Sequence, residues 1–463
     1  MSTEPSPTPL PWPLWQRVLF RYAACHYLLY AFPRPLTKLL GTIGGGLEAI
    51  TDRAKGAWWS PSTWSAALAG IESGWQGLTT WMDRNGLAPY EVIHQPTGSG
   101  DTGHDFAKLL AIVAASLLLT AIWSLVQRRP CGHPRLGRWL HLVVRFDVAF
   151  AVAGYGFAKF RGGQFGGLEL FRAAQEIGDT TPMGMVGTFM QAFPGYELFG
   201  GGGELLGSLL LFHRRTALLG AFVTIGVLTN VCALNWLCGV PVKLYSAHLL
   251  LFTIALLAPF AGSLHALFVA NTPSTPVDLR VPAGRHGSLV AAIGWAWVLG
   301  SLALSAFSPL REWERERPTP ELYGMWVVDE MRLGGREVPR SDATRWREFA
   351  IDRGDLAWSR DGAGQRRFFD FVFDPATGTA SVKARGKDAA AATWTCERGS
   401  TAVQVDVPLL MKREDRGRRV DGTRRSLVLK GRLGDDEIEV RAHEKLLRIR
   451  TGFRLRQELP EGW

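Results

Sequence analysis

The chain has 463 residues, of which 47% are hydrophobic and 20% charged, with a formal net charge of +10. That length exceeds one ordinary domain and points to at least two units. The positive balance excludes no membrane role and does not mark a nucleic-acid binder: the arginines flank apolar runs or alternate with acids, and no basic stripe forms.

Met1 to Pro13 is polar and proline-rich, and no small-residue cleavage site follows, so no cleavable signal peptide is predicted. Leu14–Phe32 is predicted as the first membrane helix, with Arg17 and Arg21 near its start, where long side chains snorkel to head groups. The Pro33–Asp105 segment carries Trp58, Trp59, Trp64, Trp75 and Trp81. Aromatic residues favour the membrane–water boundary, which predicts amphipathic helices on the outer surface or an ordered cap there. Within it, Gly98 to Thr102 has the composition of a turn leading into a helix N-cap, and Asp101 belongs to the same outer face.

A helix crossing the hydrocarbon needs about 20 mostly apolar residues. Phe106–Val126 and Trp139–Ala158 qualify, the second despite His141, Arg145 and Asp147. Arg145 and Asp147 stand two apart, so they leave a helix on different sides and each needs a partner elsewhere. Phe199–Phe212 and Thr216–Trp236 form a hairpin, and Tyr245–Val269 and Leu289–Phe307 complete about seven spans. Arg128, Arg129, Arg135 and Arg138 crowd one connection, Arg214 and Arg215 another, and Arg280 and Arg285 a third. Under the positive-inside rule these face the cytoplasm, which puts the Pro33–Asp105 segment and the C-terminal domain outside a plasma (inner) membrane.

Beyond Pro309 the pattern changes to period-two alternation, in Phe368–Phe373, Thr401–Val407, Ser426–Lys430, Glu437–Arg441 and Leu447–Leu455. Short strands parted by turns such as Gly434-Asp435 predict an antiparallel sheet or small barrel. Gly324-Met325-Trp326 resembles the Gly-x-Trp entry strand of lipocalin-like barrels. The predicted division is therefore a helical membrane domain over 1–310 and a soluble β-rich domain over 311–463.

Polar side chains in or beside apolar helices are the candidate ligand-binding residues, because desolvation there is costly. They are Asp101, Tyr155, Lys159, Gln164, Glu204, Asn235, Lys243 and His248. Glu204 follows a run of four glycines in the first turn of its predicted helix, where an acid complements the helix dipole, and it is a candidate partner for Lys159. The five cysteines (Cys25, Cys131, Cys232, Cys238 and Cys396) show no metal-ligand spacing, and no metal site or catalytic set is predicted. Cys232 and Cys238 lie about 240° apart on a continuous helix, so a bridge requires the helix to end between them.

The run from Tyr155 through Pro259 resembles the DoxX-like family of bacterial membrane proteins. The residues that carry the resemblance are Tyr155-Gly156-Phe157-Ala158-Lys159 with Gln164-Phe165, Gly178 to Gly184, Glu204-Leu205-Leu206-Gly207, Arg214-Arg215-Thr216, Asn230, Asn235 and Val240 to Leu244. Gly98 to Thr102 and the β-rich tail resemble a larger, mostly uncharacterised subgroup of it. The resemblance implies a four-helix membrane core over 139–270 and a quinone-linked redox role. The chain has no haem ligand pair, flavin fingerprint or redox dithiol, so an electron carrier would be bound or come from a redox protein partner. Two functions follow as expectations. One is a quinone- or lipid-binding subunit of a membrane oxidoreductase, with Lys159, Gln164, Glu204 and Lys243 around the head group. The other is a non-catalytic scaffold whose outer β domain binds a partner or a lipophilic ligand.

Overall fold

The computed structural model describes residues 12–32, 61–94, 100–128, 132–160, 164–274, 320–385, 391–406, 419–434 and 436–445, with isolated positions between 276 and 303. Among the described residues the α-helices are α1 (Leu14–Ala31), α2 (Pro61–Arg84), α3 (Gly103–Val126), α4 (Pro134–Phe160), α5 (Leu170–Ala173), α6 (Pro182–Ala192), α7 (Pro194–Phe212), α8 (Ala217–Leu237), α9 (Lys243–Ala255) and α10 (Ala261–Phe268). Nine strands follow: β1 (Gly324–Leu333), β2 (Arg336–Glu337), β3 (Trp346–Ile351), β4 (Leu356–Asp361), β5 (Arg366–Asp374), β6 (Thr379–Ala384), β7 (Ala392–Asp406), β8 (Arg419–Leu433) and β9 (Asp436–Glu444). The chain divides into two compact units, 1–158 with 200–308, and 159–199 with 309–463. The β-rich unit thus takes in residues 159–199, which the predicted division assigns to the helical domain.

Among the described residues, four stretches are long and apolar enough to cross a membrane: Gly103–Val126, Pro134–Phe160, Ala217–Leu237 and Lys243–Phe268. The last is interrupted at Ala258–Phe260, where Pro259 removes a backbone donor and the chain tightens into a 3-10 turn. Helices also form at α1 and α7, where spans are predicted, although neither is among these four. The predicted span Leu289–Phe307 falls outside the described residues except at isolated positions.

Small residues let α4, α7 and α8 approach closely. A Cβ added at Gly156 would lie 2.7 Å from Leu205 Cγ, and one at Gly220 would lie 2.7 Å from the Leu211 nitrogen. In lipid such close backbone packing replaces the hydrophobic drive that water supplies elsewhere. Ser208 adds a buried hydrogen bond, its hydroxyl donating to the Ala149 carbonyl at 2.9 Å. Val148, Val152, Leu211, Phe212 and Ala221 fill the core between these helices.

The β-rich unit is a closed, eight-stranded antiparallel barrel. Strand neighbours run β1-β3-β4-β5-β6-β7-β8-β9, and β9 pairs back onto β1. Strand β2 adds only a short hairpin at the end of β1. The strands predicted at Phe368–Phe373, Ser426–Lys430 and Glu437–Arg441 lie within β5, β8 and β9, while Leu447–Leu455 is outside the described residues. The interior is packed with Trp326, Trp346, Phe349, Phe369, Trp394, Leu427 and Val440. Trp346 and Trp394 stack at 6.3 Å with 14° between their planes. Each buried tryptophan contributes on the order of 4–6 kcal/mol of transfer free energy as an upper bound.

One outer face of the barrel is also buried. The register aligns Met325 with Ala350, Ala350 with Trp358, and Trp358 with Phe368, a continuous row across β1, β3, β4 and β5. Leu170 of α5 is buried against Met325, Ala350 and Trp358, and the Phe171 ring meets Phe368 edge-on at 6.4 Å. The Leu170 backbone N–H donates to Asp352 Oδ2 at 2.8 Å, which satisfies a donor at the start of that short helix.

Candidate functional site

The predicted site residues of the helical unit fall into a capping cluster and an aromatic stack. Thr102 caps α3, where the sequence predicts a helix N-cap, and Asp105 completes a reciprocal capping box. Asp101, beside it, takes a left-handed backbone (φ 64°) and reaches a different helix. Its carboxylate accepts the Lys243 N–H at 2.5 Å and the Leu244 N–H at 2.9 Å, capping α9 across 142 residues of sequence. The Lys243 ammonium stands 3.8 Å from the same carboxylate and donates to the Val240 carbonyl at 3.2 Å. Asn235, near the end of α8, donates to Ser246 Oγ at 3.0 Å, and Ser246 donates to the Lys243 carbonyl. Asp101, Lys243, Ser246 and Asn235 are thus linked by hydrogen bonds that fix the α8–α9 turn.

His248 lies elsewhere on α9. Its Nδ1 is 2.7 Å from the Leu244 carbonyl, and its ring stacks on Tyr30 of α1 at 3.7 Å with 7° between planes. His26 stacks on Tyr22 at 5.6 Å, on Tyr30 at 6.1 Å and on His248 at 5.5 Å, so phenol and imidazole rings alternate. His26 is buried, and its Nδ1 has no hydrogen-bond partner among the described residues. Tyr27, one residue on, donates from its hydroxyl to Asp147 Oδ2 at 3.3 Å, supplying the partner that the isolated Asp147 required. Arg145 lies over the Phe146 ring at 5.3 Å. Chemically this cluster offers flat aromatic faces and proton-bearing groups inside apolar helices.

The remaining predicted residues lie on α4, on α7 and in the segment that follows α4. Tyr155 is partly exposed, its ring 6.3 Å from that of Tyr245. Glu204 is buried in α7, Lys159 is buried in the last turn of α4, and Gln164 is exposed. Lys159 and Gln164 belong to the β-rich unit, and Glu204 to the helical one.

Two features escape the sequence reading. The ladder Tyr22, His26, Tyr30 is legible as ring residues every four positions on one helix face, but its partner His248 is 218 residues beyond Tyr30. The second is a polar network joining α2 to α3. His104 lies 2.8 Å from Thr79 Oγ1 and 3.1 Å from Glu72 Oε1, and Lys108 donates to Glu72 Oε2 at 2.9 Å. Burial would raise the Glu72 carboxyl, but Lys108 and His104 outweigh it and hold the group below its ordinary range. Cys25, Cys232, Cys238 and Cys396 are free thiols, and α8 ends at Leu237, between the closest pair. No group of three or more metal-ligating side chains occurs among the described residues.

No family model and no solved structure matches the chain. A curated relative does, the uncharacterized protein YwoB of Bacillus subtilis, which is 35% identical over 114 residues. That stretch is 24% of this chain and 71% of the relative. Through it, the chain belongs to the same family as YwoB.

Proposed function

We propose that this is a multi-pass protein of a bacterial inner membrane whose helical unit holds a quinone or lipid head group for a membrane oxidoreductase system, as its DoxX-like motifs imply. The observation that carries the reading is the ring ladder of Tyr22, His26, Tyr30 and His248, whose two histidines are buried and whose two tyrosines are half-buried. Ionisable rings inside apolar helices are costly and concentrate where a bundle binds a polar group. A quinone carbonyl would accept the His26 Nδ1–H, since the His248 Nδ1–H is taken by the Leu244 carbonyl, and its ring would lie against the aromatic faces. Organic extraction of the detergent-purified protein, followed by chromatography, is expected to recover a quinone or neutral lipid near one per chain. His26→Phe should lower that yield about tenfold, the loss of one hydrogen bond to a bound head group. Recovery of neither compound from the wild-type protein would overturn the reading.

We also propose that about seven helices cross, α1, α7 and residues 289–307 joining the four, and that the barrel lies outside the cell. Arg135 and Arg138 sit in the first turns of α4, and Lys159, near its other end, begins a segment that belongs to the barrel unit. With the arginine end cytoplasmic, one crossing by α4 suffices for the orientation, whichever other helices cross. A second reading, a scaffold whose barrel binds a partner, is supported by the tryptophan-filled interior, which favours outer-surface contacts over a ligand held inside. Deleting residues after Arg311 should then abolish partner capture while leaving quinone retention intact.

A further inference from the structure

Met185 and Phe189 stand four apart on α6, Tyr196 and Phe199 three apart at the start of α7, and Phe193 at the break between the helices, where the contacts Phe189–Phe193, Phe189–Tyr196 and Tyr196–Phe199 join the aromatic side chains into one row. All five are 42–77% exposed, and Phe189 contacts the rings of Phe193 and Tyr196 at 5.1 Å each. The opposite face is occupied: Met190, Gln191 and Ala192 are buried, and the Gln191 amide donates to the Phe165 carbonyl at 2.8 Å. A contiguous exposed row of large apolar side chains is unusual for a surface facing water and marks a contact with something apolar.

The chain itself names the occupant. Phe199 runs without a break into Gly200–Phe212 of the same helix, whose Ser208, Leu211 and Phe212 pack inside the helical bundle. The stripe is therefore continuous with a helix that enters the bundle. Phenylalanine, tyrosine and methionine in one row at that depth suit the boundary between lipid head groups and acyl chains. We infer that this stripe is an interfacial membrane contact, seating the segment 182–199 in the bilayer surface. The inference does not depend on quinone binding or on which side of the membrane the barrel occupies.

The test uses the full chain in vesicles of phosphatidylethanolamine and phosphatidylglycerol, with Phe189→p-benzoylphenylalanine and Phe193→p-benzoylphenylalanine as photo-crosslinkers. Val372→p-benzoylphenylalanine, on the outer barrel surface where Val372 is 51% exposed, is the reference. Irradiation should add one phospholipid mass to the stripe peptides, about tenfold more than at position 372. If a stripe variant fails to insert, Tyr196→p-benzoylphenylalanine takes its place in the same row. Crosslinks to a second copy of the chain, or lipid adducts no more frequent than at position 372, would overturn it.

Discussion

Asp101 shows how a single residue does two jobs that sequence spacing separates. Its neighbourhood has a turn-and-cap composition, and Thr102 fulfils that expectation locally. The Asp101 carboxylate instead satisfies the first donors of α9, a contact that no short-range pattern records. Asp101→Ala should cost about 1–2 kcal/mol, because those buried-end N–H groups lose their acceptor, and should lower the melting temperature in detergent. Asp101→Asn, which tolerates the left-handed backbone, should recover part of the loss. Glu72 gives a pH-dependent counterpart. Its folded carboxyl titrates below the ordinary 4.5, so its pairing stabilises the α2–α3 contact above that value and is lost as pH falls through the lower folded one. Glu72→Gln should flatten the acid side of the thermal-stability profile. Burial pushes the Cys396 thiol up to about 11, so it is expected to resist iodoacetamide at pH 8 until the barrel is denatured. Rapid native-state alkylation, read by peptide mass spectrometry, would contradict that packing.

Among the elements, legibility followed periodicity. The apolar stretches at α3, α4 and α8 are readable because lipid demands uniform hydrophobicity. Strands β5, β8 and β9 are readable because one face meets water. Strands β3 and β4 are not, since Leu170 and Phe171 cover their outer face and both sides of the sheet are buried there. That covering segment lies more than 150 residues upstream, so the broken alternation of Trp346–Ile351 carries no local explanation. Leu170→Ala should weaken docking of the segment by about 2–4 kcal/mol through loss of buried volume. Limited proteolysis of the full chain would register it as cleavage after Arg172 accelerated roughly thirtyfold or more. Unchanged cleavage would mean that Leu170 does not hold the segment on the barrel. The candidate site was legible only in part: Asp101, Asn235 and Lys243 converge, whereas the ladder around His248 needs α1 and α9 brought together by tertiary packing.

At the scale of the whole molecule, a helical unit with four span-length stretches is combined with a closed barrel that incorporates the 159–199 segment. The central proposal is orientation: arginine-rich connections facing the cytoplasm, and the barrel with its docked segment facing outward. It is tested most directly by single introduced cysteines in spheroplasts, using a membrane-impermeant maleimide and the wild-type chain as background. Ser381, on β6, and Arg215, between α7 and α8, are both exposed. Ser381→Cys should label in intact spheroplasts, and Arg215→Cys only after lysis. The reverse pattern, or labelling of both positions only after lysis, would contradict the account.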